Sequence, residues 1–476
     1  MIQTTLDIPL SPGLTEEQAR AIVAQGHDAV VFALLQLAQL WGEERAARAG
    51  DSHATPATPS GMKPPFSKDN LSSGRKKKPG RKTGHPGSRR DPPAQANAWK
   101  THRADVCPDC GGPLNRCSET RTRQTEDIPE EITPVVTEHT IHRDWCSKCK
   151  KKVEPPVTDA LPNSTLGNRL LVLTAWLHYA LGNTISQIIE VFNYHLQIKL
   201  SAGGLVQMWQ RLAEIVYPWY EQIQQEALNS AVLHADESGW RVNGKTLWLW
   251  CFANPSLSYF MINRSRGSPA LMKFFIQEFK GTLVSDFWAA YNAVACARRQ
   301  MCLVHLLRDL EMVEKYKSPS AHWPAFAKKL RRLIGDAIRL HKRENVSSDE
   351  HASRRRRLTA RLDALIATEW NDVQARRLIK RLRRHANALF TFLDQPDVPF
   401  DNNLAERAIR PAVIIRKNSY GNRSDNGADV QAILMSIFFT LKKRGHNPVA
   451  TLKNAVETYL KTNTLPTLPP QTTADG

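Results

Sequence analysis

Apolar side chains change their spacing several times along this chain, and each change marks a different kind of element. Residues 15–41 carry them at helical intervals: Thr15 can cap, Glu16 and Glu17 occupy the first turn, and Leu34, Leu35, Leu37 and Leu40 continue the apolar side. That pattern predicts one amphipathic helix suited to packing or self-association. No periodicity is visible over residues 51–100, and residues 121–145 are rich in Thr, Val and Ile, as short strands are. Helical spacing returns at 170–181, 185–194 and 201–216, with Ser201 placed to cap the third segment. A helix-turn-helix and a plain bundle both account for these three segments. From Ala231 the texture becomes strand-like: 231–242, 245–254 and 257–263 are separated by Asn243-Gly244 and Asn254-Pro255, the signature of an antiparallel meander. Residues 269–279 then read as a helix, 281–286 as a short buried strand, and 299–307 as a fifth strand and its exit. Helices resume to the end, interrupted at 394–401 and 418–428.

A length of 476 residues with 41% apolar side chains is ample for more than one core, which excludes a peptide-sized scaffold and a wholly disordered chain. No run approaches the roughly 20 apolar residues of a membrane helix; the best candidate, 170–181, is broken by Thr174 and His178. Residues 1–10 lack the cationic lead and apolar segment of a secretory signal, so a cytoplasmic location without membrane contact is expected. The net charge of +19 is concentrated: residues 60–100 hold 11 Lys or Arg against two acids, and residues 331–384 hold 16 against seven. The first stretch sets Arg75, Lys76, Lys77, Lys78, Arg81 and Lys82 among Pro, Gly and Ser, a composition that predicts an extended arm. Such an arm suits a polyanion such as a nucleic acid, because each cation placed on a phosphate releases counterions without reading sequence, and a solubilising linker is the plain alternative. In the second stretch Leu358, Leu362, Leu365, Leu378 and Leu382 keep helical spacing, so its arginines are expected on exposed helix faces.

Four of the eight cysteines form two close pairs, Cys107 with Cys110 and Cys146 with Cys149. Two such knuckles supply four thiolates for one structural Zn2+, with no position left open for catalysis. Cys117 is expected to be an ordinary small residue, and His139 and His142 are possible substitute ligands. The order strand, strand, strand, helix, strand after Ala231 is the opening of a ribonuclease H-like fold. If its first and fourth strands lie side by side, Asp236 and Asp286 project into one place. Glu406, early in a later helix, is a candidate third carboxylate. Three carboxylates can hold two divalent ions about 3.5–4 Å apart, an arrangement that drives in-line phosphoryl displacement with Mg2+ or Mn2+. Each acid also has a plain alternative: Asp236 and Asp286 as strand-ending turn residues, Glu406 as the acid of a capping box begun by Asn403.

The sequence resembles the insertion sequence 66 family of bacterial transposases. The matching features are the cysteine pairs behind a basic linker ending in Gly84-His85-Pro86-Gly87, the segment His234-Ala235-Asp236-Glu237, and the segment Val284-Ser285-Asp286. They continue with Cys302-Leu303-Val304-His305 and with residues 401–411, which run from Asp401-Asn402-Asn403 through Glu406-Arg407 to Arg410-Pro411. The resemblance implies a DDE transposase with Asp236, Asp286 and Glu406 as its catalytic, magnesium-binding triad. Its partners would be transposon ends and target DNA, a second copy of itself, and accessory proteins of the same element. Arg407 and Arg410 would meet phosphate or Glu406, and Cys302 and His305 are expected to be structural. The expected class is a multidomain α+β protein: an N-terminal helical region (1–50), a basic linker (51–100), a zinc ribbon (101–158) and a helical DNA-binding region (159–228). A ribonuclease H-like α/β catalytic core follows (229–460), with a helical insertion at about 310–395 and a disordered tail at 461–476. The competing expectation is a DNA-binding regulator of the same ancestry that has lost catalysis.

Overall fold

The computed structural model describes residues 16–24, 26, 30–31, 33, 95–115, 120–125, 127–317 and 320–472. The basic arm with Arg75, Lys76, Lys77, Lys78, Arg81 and Lys82 lies outside the described residues, as does Cys117. Helix α1 (Glu16–Ala24) begins where the capping pattern places it, and most of the expected continuation also lies outside the described residues.

A two-stranded hairpin, β1 (Asp144–Cys146) and β2 (Lys151–Val153), carries the second cysteine pair. Among the described residues between 121 and 143, no further strand forms. Val135 and Val136 stand almost fully exposed, and β-branched residues favour strands only where a pleated face can be buried against something.

Helices α2 (Asn168–Tyr179), α3 (Ile185–His195) and α4 (Ala202–Leu228) follow. Thr184 and Gln187 close a reciprocal capping box at the start of α3, and the Ser201 hydroxyl accepts from Gly204 N at the start of α4. Helix α4 buries Leu205, Trp209, Leu212, Val216, Trp219 and Ile223 in the main core, so most of its length is structural.

The five-stranded sheet comprises β3 (Val232–Val242), β4 (Lys245–Ala253), β5 (Ser258–Asn263), β6 (Phe279–Ser285) and β7 (Cys296–Met301), in the order β5-β4-β3-β6-β7. The first three strands are the antiparallel meander, turned at Asn243-Gly244, where both residues have positive φ as a tight hairpin requires. Strands β6 and β7 then add in parallel on the other side of β3, which places the first and fourth strands of the sheet side by side. Gly281 permits this close approach: a Cβ there would run into the carbonyl oxygens of Ser230 and Ala231. Helix α5 (Ser268–Phe274) crosses between β5 and β6; it ends before Phe279 because Phe279 already belongs to the next strand.

After β7 the chain builds a helical unit from α6 (Leu303–Tyr316), α7 (Trp323–His341), α8 (Ser348–Ala367), α9 (Val373–His385) and the single turn α10 (Thr391–Asp394). Its core gathers Trp323, Phe326, Leu330, Leu362, Leu378 and Phe392, and it joins the sheet through Val284 and Met301. Several arginines of α8 are paired rather than merely solvated: Arg354 with Glu350, Arg355 with Asp394 and Arg361 with Asp336. Helix α11 (Asn403–Ser419) then returns to β3 and β4, and α12 (Asp425–Lys443) lies across β5, α4 and α2, buried on most sides. Helix α13 (Pro448–Thr462) packs on α2.

The tail expected to be disordered is docked as far as residue 472. Trp219 Nε1 donates to Pro466 O at 2.6 Å, Arg444 Nη1 donates to Pro469 O at 2.7 Å, and Leu468 is buried. Its polar, Pro-rich composition hides this, because the anchors are carbonyl oxygens taken up by side chains distant in sequence.

Candidate active site

Strand β3 is buried along nearly its whole length, so the acids in its middle are anomalous for an ordinary sheet. The parallel register pairs Val232 with Thr282, Leu233 with Leu283 and His234 with Val284. Two residues further on, that spacing sets Asp236 beside Asp286 on strands about 4.8 Å apart. Both carboxylates are buried, at 3% and 8% exposure. Asp286 Oδ1 accepts from Trp288 N at 2.8 Å, the turn contact anticipated for a strand-ending Asp. This contact engages one oxygen of a carboxylate that still faces its neighbour.

Asp236 Oδ1 accepts from Glu237 N at 3.0 Å, whereas Oδ2 is buried and has no hydrogen-bond partner. Burial, then the negative charges of Glu237, Glu406 and Asp286, hold the Asp236 carboxyl well above the usual carboxylate range. An anion here is stable only with a cation beside it, so the donor set fits a divalent ion at Asp236 and Asp286.

Glu406 arrives from α11. The capping box that could have claimed it does not form: Asn402 is the N-cap residue and makes no side-chain capping bond. Asn402 instead bridges to the sheet, donating Nδ2 to Ala235 O at 2.8 Å and placing Oδ1 3.0 Å from His234 Nδ1. Its own backbone N–H reaches Cys302 Sγ at 3.2 Å. These bonds tie the start of α11 to the residue before Asp236, which brings Glu406 within range of its charge. The Glu406 carboxylate meets Arg308 Nη1 at 3.1 Å and lies 3.7 Å from His305 Nε2, both on α6. Cys302 is buried, with its thiol pushed up to about 12 by burial, and His305 lies against a candidate catalytic acid. Arg407 and Arg410 are exposed on α11.

A second group went unnoticed in the sequence. Glu237 is fully buried, accepts from Tyr291 Oη at 2.6 Å and pairs with Arg266 at 3.1 Å. The Arg266 guanidinium lies over the rings of Trp288 (3.9 Å) and Trp248 (4.7 Å). Burial and the nearby Asp286 charge raise the Glu237 carboxyl to about 7, opposed by Tyr291 and Arg266. This cluster braces the strand end next to Asp286. The available signal was a second acid, directly after Asp236, inside an otherwise apolar strand.

In the cysteine-rich region each knuckle draws its own two thiols together. Backbone amides of Asp109 and Cys110 lower the Cys107 thiol, and those of Cys149 and Lys148 lower Cys146, which favours the thiolates that Zn2+ binds. His139 is turned to Asp159 at 3.3 Å. Among the described residues no three His, Cys, Asp or Glu side chains are gathered tightly enough to hold one ion. The two knuckles are therefore two pairs, and the three carboxylates share a field rather than a closed chelate.

Comparison with known proteins agrees with this division. Residues 163–430 match the model of the transposase IS66 family, and residues 104–150 match the zinc-finger binding domain of transposase IS66, which supports a structural zinc. Among curated relatives, uncharacterized protein y4jD of Sinorhizobium fredii is 22% identical over 407 residues, 75% of each chain. Uncharacterized protein y4qI of the same organism is 26% identical over 247 residues, covering 45% of this chain and 44% of the relative. The family match spans more than half of the sequence and contains all three carboxylates: this chain belongs to the IS66 family of transposases.

Proposed function

We propose that this chain binds the terminal inverted repeats of its insertion sequence and performs metal-dependent DNA strand cleavage and strand transfer, with Asp236, Asp286 and Glu406 as a DDE triad in a ribonuclease H-like core. The observation that carries the proposal is the pairing of Asp236 with Asp286 on adjacent parallel strands, with a buried Asp236 oxygen lacking any partner. The sheet order, with the meander's first strand central and two parallel strands beyond it, supports the fold assignment.

Asp236 and Asp286 would hold Mg2+ or Mn2+, and Glu406 is the third carboxylate within reach of their charge. The ions would activate water or a DNA 3′ hydroxyl and stabilise the leaving oxygen. The protein's own work is positioning: Asn402 fixes α11 on β3, Arg308 and His305 hold Glu406, and the Glu237, Tyr291 and Arg266 cluster braces the strand end. Water and DNA hydroxyls are the nucleophiles, so no covalent enzyme intermediate is needed. The zinc domain, the basic arm with Arg75, Lys76, Lys77, Lys78, Arg81 and Lys82, and the exposed Arg407 and Arg410 would engage DNA. Self-association and accessory proteins of the element would complete the machinery.

The test is nicking and joining of end-containing DNA with Mg2+ or Mn2+, wild type against Asp286→Asn. Cleaved and joined products from wild type alone are expected. Cleavage without joining would reduce the protein to a nuclease, and DNA binding without strand breakage under either ion would establish the non-catalytic regulator.

A further inference from the structure

A cavity of about 820 Å3 opens between the edge strand β7 and the helices α9 and α10. It adjoins a smaller hollow of about 160 Å3 beside Phe287, and the two share Asn292, Arg384 and His385. Their walls are strongly cationic. Arg377, Arg381 and Arg384 recur at i, i+4 and i+7 on one face of α9, a stripe roughly 10 Å long. Arg299 approaches from β7, donating one guanidinium nitrogen to Val294 O at 2.8 Å while the other, Nη1, is buried without a partner.

The acids nearby are already engaged. Asp309 is bound by Arg381, and both carboxylate oxygens of Asp394 accept from Arg355. Burial, then the charges of Arg299, Arg384 and Arg381, push the His385 imidazole down to about 4. Such a surface is short of anions. It also leads to the chemistry, because Phe287, the residue after Asp286, lies against the His385 ring (5.6 Å between centroids) and under the Arg381 guanidinium (5.1 Å).

We propose that this groove is a binding track for the phosphodiester backbone of DNA, guiding a strand across α9 to Asp286. The inference rests on the DNA-processing function proposed above and adds the surface that holds the backbone beside the cut. A line of cationic side chains along one helix face suits a regularly spaced polyanion, and each phosphate seated there would release counterions.

The full-length protein decides it, with labelled end-containing duplex DNA titrated in EDTA at several salt concentrations, so that binding is read without cleavage. Arg377→Ala/Arg384→Ala should weaken binding at least tenfold at low salt and make the slope of log K against log [salt] shallower by about 1.8, or 0.9 for each lost phosphate contact. Arg377→Lys/Arg384→Lys, which keeps the charges, should retain the slope. Arg356→Ala/Arg357→Ala removes two exposed arginines of α8 outside the groove and should change little. Wild-type-like binding by the groove double variant overturns the inference, and so does an equal loss in the α8 control, which would mean diffuse charge. Cleavage that persists with an unchanged slope would leave the functional proposal standing while this one fails; a wild type that binds no DNA at all would remove both.

Discussion

The cysteine pairs near residues 107 and 146 and the carboxylates around Asp236 both gather groups that bind metal, yet they are held by opposite means. Around the cysteines the two strands are three residues long, the thiols lie at the surface or half-buried, and large apolar side chains such as Trp99 and Val136 stand exposed. Little beyond local turns and the hairpin positions the ligands there. Around Asp236 the sheet, α11 and the main core impose the geometry in advance, forcing like charges together in buried surroundings. In the first region an ion would supply the missing core; in the second the core is complete and the ion would relieve a strain that folding created.

That contrast can be broken most sharply at the carboxylates. Asp236→Asn and Asp286→Asn should each lower strand cleavage by at least about 10²–10³-fold, the scale of losing one preorganised charge-stabilising group, in a gel assay of end-containing DNA. The same Asp236→Asn change should stabilise the metal-free protein by about 1–3 kcal/mol, because it removes a carboxyl whose charged form burial and neighbouring acids disfavour. Calorimetry in EDTA checks this, and a lower melting temperature than wild type would contradict the account. Chelating zinc, or replacing Cys107 and Cys146 with Ser, should act in the other direction. Structural zinc sites are worth about 10–16 kcal/mol of folding free energy, so residues 104–153 should lose protection in hydrogen exchange while β3 to β7 keep theirs.

A subtler prediction concerns Arg308. Its replacement by Gln leaves Glu406 with His305 but without its guanidinium partner, costing up to about 3 kcal/mol in EDTA. Added Mn2+ should recover that stability, with a larger rise in melting temperature than wild type shows; equal rises would mean that Glu406 does not face the ion. The smallest effect is expected at His385. Its depressed pKa, about 4 against 6.5, means that the unfolded chain binds more protons between those values, so stability should fall as pH drops from 6.5 towards 4. His385→Gln should flatten part of that fall. His234, also held near 4 by burial, contributes in the same sense, so the difference between wild type and variant is the quantity to follow.

Much of the architecture was legible because it is local. The meander, its Asn243-Gly244 turn, the Ser201 cap and the helical period of α7 to α9 are written in neighbouring residues. Where the reading failed, the deciding partner was remote. The Val and Ile residues before Asp144 had the propensity for strands and no face to bury. The tail was polar and rich in Pro, yet Trp219 and Arg444 capture its carbonyls. Glu406 fits a capping-box spacing with Asn403, but Asn402 was drawn to Ala235 and His234, and the carboxylate went to Arg308 and His305.

By itself, then, the chain order marked the candidates for the chemistry: acids inside apolar strands and cysteines at knuckle spacing, both costly enough to place that their presence is informative. Only the tertiary structure decided which of them meet. The offset between two parallel strands aligns Asp236 with Asp286, one asparagine docks a helix onto a strand 167 residues away, and a cationic helix of the later helical unit comes to lie one residue from a candidate catalytic acid. Such meetings depend on packing distances and register between segments far apart in the chain, where local propensity has no influence.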